Sequence, residues 1–402
     1  YIQRTIQFRV RLKFHNRNKK LFMDNYSKHI AILGGGIAGL SLGCTLLKEG
    51  IPAVIFEKMS EETSHGAAIS LSSNALRLLD RLDIYSDLKN KSFLHTKATI
   101  QGPKKNICKF NTPEVLTTRR QTLMSLLHSR FKNLGGNIKY DHALIKFDAK
   151  KCEATFSNKK KYNFKHLAAC DGIRSSIRDT FFPSNQNPKY SGYSAWRGIG
   201  KSPLKRVHFA LGPGGHVVSY PVNNDGDVSF VAVRKEDFQF KESWKEQGSL
   251  KNLLDDFSTY DPSIFPKLKD EEPLYKWGIY IRPPLQSMIS RNITLVGDAA
   301  HPMVPFLGQG ACMAIEDAYT FAMLCKQNNG NFIDAQKTYD LLRSKRTKKM
   351  QKASMLQGKI YHMKNPMLVF ARNAVMKYTN IPGNDLKKIH DYDAHQEVLM
   401  FS

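Results

Sequence analysis

The chain has 402 residues, a formal net charge of +26, 24% charged and 41% hydrophobic residues, and six cysteines with no CxxC pair. That length suits two intimately packed domains. The scattered thiols exclude a disulfide or zinc framework, and no stretch nears the roughly 20 continuous apolar residues of a membrane span, so a reduced cytoplasmic protein is expected. Lysines are spread along the chain with no aromatic-basic motif, which argues against nucleic acid as a partner.

The first 22 residues carry seven Lys/Arg and no acid. They read as a basic leader within 1–26, an extension ahead of Met23 as the expected functional start. His29-Ile30-Ala31-Ile32-Leu33 then predicts a buried parallel strand. Gly34-Gly35-Gly36-Ile37-Ala38-Gly39 follows, then a helix expected over 40–49, ended by Gly50. A second apolar strand over 53–56 ends at Glu57-Lys58. Gly34 permits the tight turn, Gly36 lets the backbone approach a pyrophosphate, and Gly39 lets the helix lie close to the strand. The helix start offers free N–H groups to phosphates, and Glu57 stands where an acid binds ribose hydroxyls. The order strand, G-x-G-x-x-G, helix, strand, acid predicts a dinucleotide site; it does not separate FAD from NAD.

Further on, Ala169-Cys170-Asp171-Gly172-Ile173-Arg174-Ser175-Ser176-Ile177-Arg178 reads as strand, turn and helix. Residues 183–285 change texture. Alternating stretches such as 208–210 and 228–233, with turns at 212–215 and 223–226, predict antiparallel hairpins inserted between Rossmann elements. His216 and Tyr220 are four apart on a strand and share a face. A bland reading makes His216 an exposed turn residue and Tyr220 ordinary core. Arg197 reads as a carboxylate partner or a sheet-surface charge. A strand over 293–296 leads to Gly297-Asp298 at its C-terminal end, where ligands of α/β sheets bind. Pro302 and Pro305 hold the next loop extended. Gly308-Gln309-Gly310 opens a helix over 311–324, a second anion-friendly terminus. Residues 338–357, with Arg343, Lys345, Arg346, Lys348, Lys349 and Lys352, predict a solvated basic helix over the nucleotide domain; peripheral membrane contact stays open.

Taken in this order, 295–317 and 169–178 resemble the FAD-dependent aromatic-ring hydroxylase family of single-component flavoprotein monooxygenases, over nearly everything from residue 27 onward. The resemblance implies an α/β fold. A Rossmann-type FAD-binding domain would come from 27–95, 115–182 and 286–340, a β-sheet-rich substrate domain from 96–114 and 183–285, and C-terminal helices from 341–402. It implies that Gly34, Gly36, Ile37, Ala38, Gly39, Glu57 and Lys58 bind FAD, and that Asp171 serves both FAD and NAD(P)H. Asp298 would hold the ribityl chain, and Gly308, Gly310 and Ala311 would lie beside the isoalloxazine ring. Residues 66–71 and 74–76 would pass under the flavin at Ala68, and Arg120, matching Arg-x-x-Leu, would reach it.

Residues 192–198, 212–221, 282–285 and 390–393 resemble the salicylate and 3-hydroxybenzoate hydroxylase branch; similar stretches occur in zeaxanthin-epoxidase-like enzymes. In that branch a His and a Tyr at the spacing of His216 and Tyr220, with a Gln matching Gln309, line the substrate site; Arg197 and Pro305 are expected beside the substrate. The implied activity is hydroxylation of a phenolic or aromatic-acid-like small molecule by NAD(P)H and O2 through a flavin hydroperoxide. His216 would remove the phenolic proton, since histidine titrates in the useful range. The alternatives are an FAD oxidoreductase or epoxidase acting on a polyketide-, isoprenoid- or quinone-type substrate, and a non-catalytic flavin-binding protein. No second Rossmann fingerprint, separate NAD(P)H domain or metal site is expected, and a monomer or homodimer is. Cys312 stands where most relatives carry Asn, and a thiol donates hydrogen bonds poorly.

Overall fold

The computed structural model describes residues 26–60, 68–103, 106–182, 187–236, 248–268 and 273–401. Residues 1–25 of the expected leader, and Gly66 and Ala67 of the segment expected under the flavin, lie outside them. The chain runs through β1 (Ile30–Leu33), α1 (Ile37–Lys48), β2 (Ala53–Phe56), β3 (Ala68–Ser72), β4 (Phe93–Gln101), β5 (Asn106–Arg119), α2 (Arg120–Asn133), β6 (Asn137–Lys139) and β7 (His166–Ala169). Then come β8 (Lys189–Lys201), β9 (Val207–Gly212), β10 (Gly215–Pro221), β11 (Asp227–Lys235), β12 (Tyr275–Ile281) and β13 (Ile293–Leu295). The helices α3 (Gly310–Gln327), α4 (Phe332–Tyr361), α5 (Pro366–Tyr378) and α6 (Ile381–His390) follow, and shorter elements are named by their ranges.

β1, β2 and β7 are buried along their whole length, as strands covered on both faces must be. They sit in a six-stranded sheet ordered Ile289–Ser290, β13, β7, β1, β2, β6, parallel except for the first, edge strand. Ile30 registers with Ala53 on one side and with His166 on the other. α1 begins at Ile37, earlier than the expected 40, because Gly36 already serves as its N-cap. Tyr26 lies within the expected leader, yet it is buried edge-on against Phe56 and belongs to the core.

The second sheet has nine strands, ordered Lys267–Leu268, β8, β11, β10, β9, β4, β5, β3, with β12 also paired to β8. Its pairings are antiparallel except the parallel β9–β4 contact. The hairpins expected at 212–215 and 223–226 join β9 to β10 and β10 to β11. This sheet reaches past 96–114 and 183–285: β3 and the end of β5 pair in it, from Ala68 with Arg119 to Ser72 with Val115. The reason is continuity, since β5 extends unbroken for 14 residues before α2 starts. The fold is thus the expected α/β one, a Rossmann-type layer with a large β-rich layer and C-terminal helices.

α4 runs for 30 residues, longer than the predicted 338–357. Its expected character needs correction. Arg343 is fully buried, and Arg346 largely so, because Glu316 and Asp317 of α3 face them. Lys345, Lys349 and Lys352 remain exposed. All six cysteines are free. No helix among the described residues is long and apolar enough to cross a membrane.

Candidate active site

Three glycine-rich turns meet at the C-terminal ends of β1, β7 and β13. At Gly34 the backbone turns left-handed (φ +99°), and a Cβ there would lie 2.5 Å from the Cys170 carbonyl oxygen, so only glycine passes. A Cβ at Gly39 would overlap the Gly34 carbonyl oxygen. At Gly36 the same addition meets nothing within 4 Å. No side chain caps α1 and no acid sits in its first turn, which leaves Ile37, Ala38 and their neighbours to present amide donors to an anion. Glu57 accepts from the Gly35 amide at 2.6 Å and the Met59 amide at 2.9 Å, which orients its carboxylate beside the turn; Lys58 is exposed next to it.

Asp171 follows β7 and abuts Gly34. Its Oδ1 is buried with no hydrogen-bond partner. Burial pushes its carboxyl up to about 6, against the pull of Ser175 and Lys58. Asp298 lies in the 3-10 turn Gly297–Ala299, reachable by solvent though protein surrounds it. That desolvation raises its carboxyl, while His301 and Arg120 pull it down. Arg120, the first residue of α2, has its guanidinium lowered by burial and raised by Asp298, so the two interact across the fold. A Cβ on Gly297 (φ +65°) would lie 3.1 Å from the Ala38 Cβ, so the Gly-Asp turn touches the first turn of α1.

The Gly-Asp turn is held from behind. The Gly297 amide donates to Asp317 Oδ2 at 3.0 Å, and His301 Nε2 lies 2.5 Å from the same oxygen. Arg343 Nε donates to Asp317 Oδ1 at 2.7 Å. Burial would raise the Asp317 carboxyl, but His301 and Arg343 outweigh it and hold it down at about 2. Glu316 is shared between Arg343 (2.8 Å) and Arg346 (2.7 Å). From the sequence, Arg343 and Arg346 were expected on a solvated face, and His301, Glu316 and Asp317 were given no role. The apolar spacing of a helix does not say which charged residues face inward.

At the other end, Gly308 is left-handed (φ +64°) and Gly310, opening α3, has open space where a Cβ would stand. Ala311 and Pro305 are partly buried beside it. Ser70 Oγ lies 3.4 Å from the Gly308 carbonyl oxygen, bringing β3 against this turn. Gln309, expected to line the substrate site, has both ends of its amide engaged. It is buried, its Nε2 donates to Ser72 Oγ (2.9 Å), and its Oε1 accepts from Asn74 (3.2 Å). Cys312 Sγ sits 3.5 Å from Ser72 Oγ, and burial pushes its thiol up to about 11.

β10 supplies the roof. Val217 packs with Trp196 and Phe230 on one face, while Val218 and Tyr220 join Ala68 on the other. His216 alternates onto the Tyr220 face, so the shared face expected from spacing is present, and neither side chain is an exposed turn residue. His216 Nδ1 lies 2.6 Å from Nε2 of His362, the rings stacked 4.9 Å apart. Phe306, just before Gly308, meets His216 edge-on at 5.4 Å. Burial lowers both imidazoles, His216 well below the ordinary histidine value and His362 to about 4, so His216 does not titrate in the useful range expected of it and both rings are neutral in the flavin-free chain. His362 went unnoticed in the sequence; it follows a helix end, and only the tertiary fold stacks it on β10. Tyr220 Oη reaches the Ala68 carbonyl oxygen at 3.4 Å. Arg197 lies with its guanidinium 4.7 Å from the Trp277 ring centroid and interacts with Tyr220 and Arg120.

This donor set suits FAD. It offers an uncapped helix start for a pyrophosphate, acids at two strand ends for hydroxyl groups, an orphaned buried carboxylate oxygen, and a second open glycine at the start of α3.

The comparisons agree. The profile of the family described as "FAD binding domain" matches residues 27–353. A 3-amino-4-hydroxybenzoate 2-monooxygenase of Streptomyces platensis is 28% identical over 365 residues, covering 85% of this chain and 91% of the relative. A 3-hydroxybenzoate 6-hydroxylase of Klebsiella oxytoca is 24% identical, covering 82% of this chain and 88% of the relative. Among solved structures, a salicylate hydroxylase substrate complex superposes with a TM-score of 0.79 at 21% identity, covering 92% of this chain and 97% of that one.

Proposed function

The chain belongs to the FAD binding domain family and is an FAD-dependent monooxygenase; on that premise we propose that its substrate is a small phenol or hydroxylated aromatic acid, bound between β10 and the 305–311 turn. The observation that carries this reading is the buried His216–His362 pair on the Tyr220 face of β10, beside Phe306. Bound in the glycine cradle, FAD supplies reduction by NAD(P)H and activation of O2.

The chain's own residues do the rest. Gly34, Gly36, Ile37, Ala38 and Gly39 cradle the pyrophosphate. Glu57 holds the adenosine ribose with Lys58 at its rim, and Asp298 and Arg120 hold the ribityl side. Asp171 lies between the two regions, where NAD(P)H also approaches. Ala68, Gly308, Gly310 and Ala311 border the ring. Arg197 and Pro305 fix the substrate, Arg197 through an anionic group, and Tyr220 orients it.

His216 uses Nδ1 toward His362, which leaves Nε2 to take the phenolic proton. As that proton arrives, the Nδ1 proton shifts toward His362 Nε2, spreading one charge over two rings in a water-poor site. Removing the proton raises electron density on the ring that is to be oxygenated. Gln309, with both amide ends engaged, acts by holding β3 against α3.

The test is NAD(P)H oxidation by the purified yellow protein across phenols, aromatic acids and quinone precursors, with product mass and peroxide read together. A substrate that stimulates oxidation and gains one oxygen atom supports the reading. Stimulation only by compounds without a hydroxylated ring overturns it.

A further inference from the structure

α5 is amphipathic in an unusual sense, because its apolar half faces outward. Its inner side is accounted for. Met376 packs with Ile107, Cys108 and Phe110 of β5, and Arg372 is buried, donating to the Ile360 and Tyr361 carbonyls at 3.1 Å each. Asn365 caps its start through the Met367 and Leu368 amides.

Met367, Leu368, Phe370, Ala371, Val375 and Tyr378 are all exposed; at 100° per residue Met367, Phe370, Ala371 and Tyr378 lie on the half opposite Arg372 and Met376, with Val375 and Leu368 on its flank. Met367 is 81% exposed, Phe370 77% and Tyr378 77%. Leu368, Val375 and, at the start of α6, Ile381 are each exposed by about half. A single exposed phenylalanine is ordinary, but a contiguous stripe of large apolar side chains marks a contact surface. Nothing among the described residues covers it.

Charge selects the partner. Between residues 364 and 390 the exposed charges are Lys364, Lys377, Lys387 and Lys388 against the single acid Asp385, and the whole chain carries +26. A second copy seated on this stripe would bring like lysines together at its rim. An anionic lipid surface meets both the apolar stripe and the lysine rim.

We propose that the outer face of α5 docks into the surface of a bilayer containing anionic lipid, with Met367, Phe370 and Tyr378 at the acyl boundary and the lysines among the headgroups. Arg372 ties this helix to the carbonyl of Tyr361, whose ring packs on His216 at 5.3 Å. The lipid-facing helix is therefore fastened to the turn that carries His362. The proposal does not depend on the role given to His216.

The test is co-sedimentation of the full chain with vesicles of phosphatidylcholine, with and without phosphatidylglycerol. Binding is expected with phosphatidylglycerol and weakened by salt. The Met367→Ser/Phe370→Ser/Tyr378→Ser variant should lose about tenfold or more of it, with flavin content and NAD(P)H oxidation in buffer unchanged. Replacing the four lysines by Gln should remove the preference for phosphatidylglycerol. A Phe370→Trp chain gives an independent readout, a blue shift of emission quenched by brominated lipid. No binding to phosphatidylglycerol vesicles at low salt overturns the proposal. So does undiminished binding by the triple-serine variant, which would assign adhesion to general charge or to the basic leader. A parent dimer that the same variant converts to monomer, by sedimentation velocity, would make a second copy the occupant and overturn it as well.

Discussion

Asp317→Asn removes the charge that anchors the Gly-Asp turn, and its cost follows from the structure. The carboxylate accepts from the Gly297 amide (3.0 Å), His301 (2.5 Å) and Arg343 (2.7 Å). Burial opposes its ionisation, yet His301 and Arg343 hold it at about 2, down from 3.8. That fall corresponds to about 2 kcal/mol. Because the folded value lies below the unfolded one, this stability is present above about pH 4 and is lost as pH falls toward 2. Asparagine also sets an amide N–H against one of three donors and leaves Arg343 with Glu316 as its one carboxylate partner beside the Tyr392 hydroxyl, so the total loss at pH 7 should be about 3–5 kcal/mol. Urea unfolding of parent and variant at pH 7 and again between pH 4 and 3 reads both the gap and its narrowing. Flavin retained through gel filtration reads the loosened turn. A variant within about 1 kcal/mol of the parent at pH 7, or a gap that ignores pH, would refute the assignment of Asp317 as the turn's anchor.

The other predictions concern neighbouring parts of the site. Gly36→Ala should fold with stability within about 0.5 kcal/mol of the parent, because its Cβ meets nothing, yet lose FAD affinity; Gly39→Ala should fail to yield yellow protein. Parent-like flavin content in Gly36→Ala would remove the pyrophosphate from this turn. Asp298→Ala should weaken FAD retention, and a fully flavinated variant contradicts its role. His216→Ala should slow hydroxylation by roughly 100-fold or more with FAD still bound. His362→Gln should slow it less and alter the pH profile of kcat, so an unchanged profile excludes the relay. Asp171 has a folded pKa of about 6, above the ordinary 3.8, so ionising it costs stability above pH 6. Asp171→Asn should therefore stabilise the flavin-free protein at pH 8 by up to about 3 kcal/mol. That gain should fade between pH 6 and 4, and thermal melts across this range check the sign.

What the sequence determined by itself was whatever local backbone geometry dictates. The run from Ile30 to Glu57 was legible because left-handed Gly34, close-packed Gly39 and an acid at a strand end are constraints that neighbours in sequence impose. The roles expected of Gly297-Asp298 and Gly308–Ala311 came from the family resemblance; in the structure Gly297 and Gly308 are both left-handed. The β10 face holding His216 and Tyr220 followed from strand alternation.

The tertiary structure alone decided where charges and rings find partners. Arg343 and Arg346 looked like any basic helix until Glu316 and Asp317 of another helix faced them. Gln309, expected to line the substrate site, is buried with its amide bonded to Ser72 and Asn74. His362 gained its place only when the end of α4 stacked on β10. Likewise, the apolar side of α5 could have been its buried side; where the helix docks on β5 decides that it faces out. Burying a charge or baring an apolar stripe is settled by contacts between segments distant in sequence, and no local period encodes them.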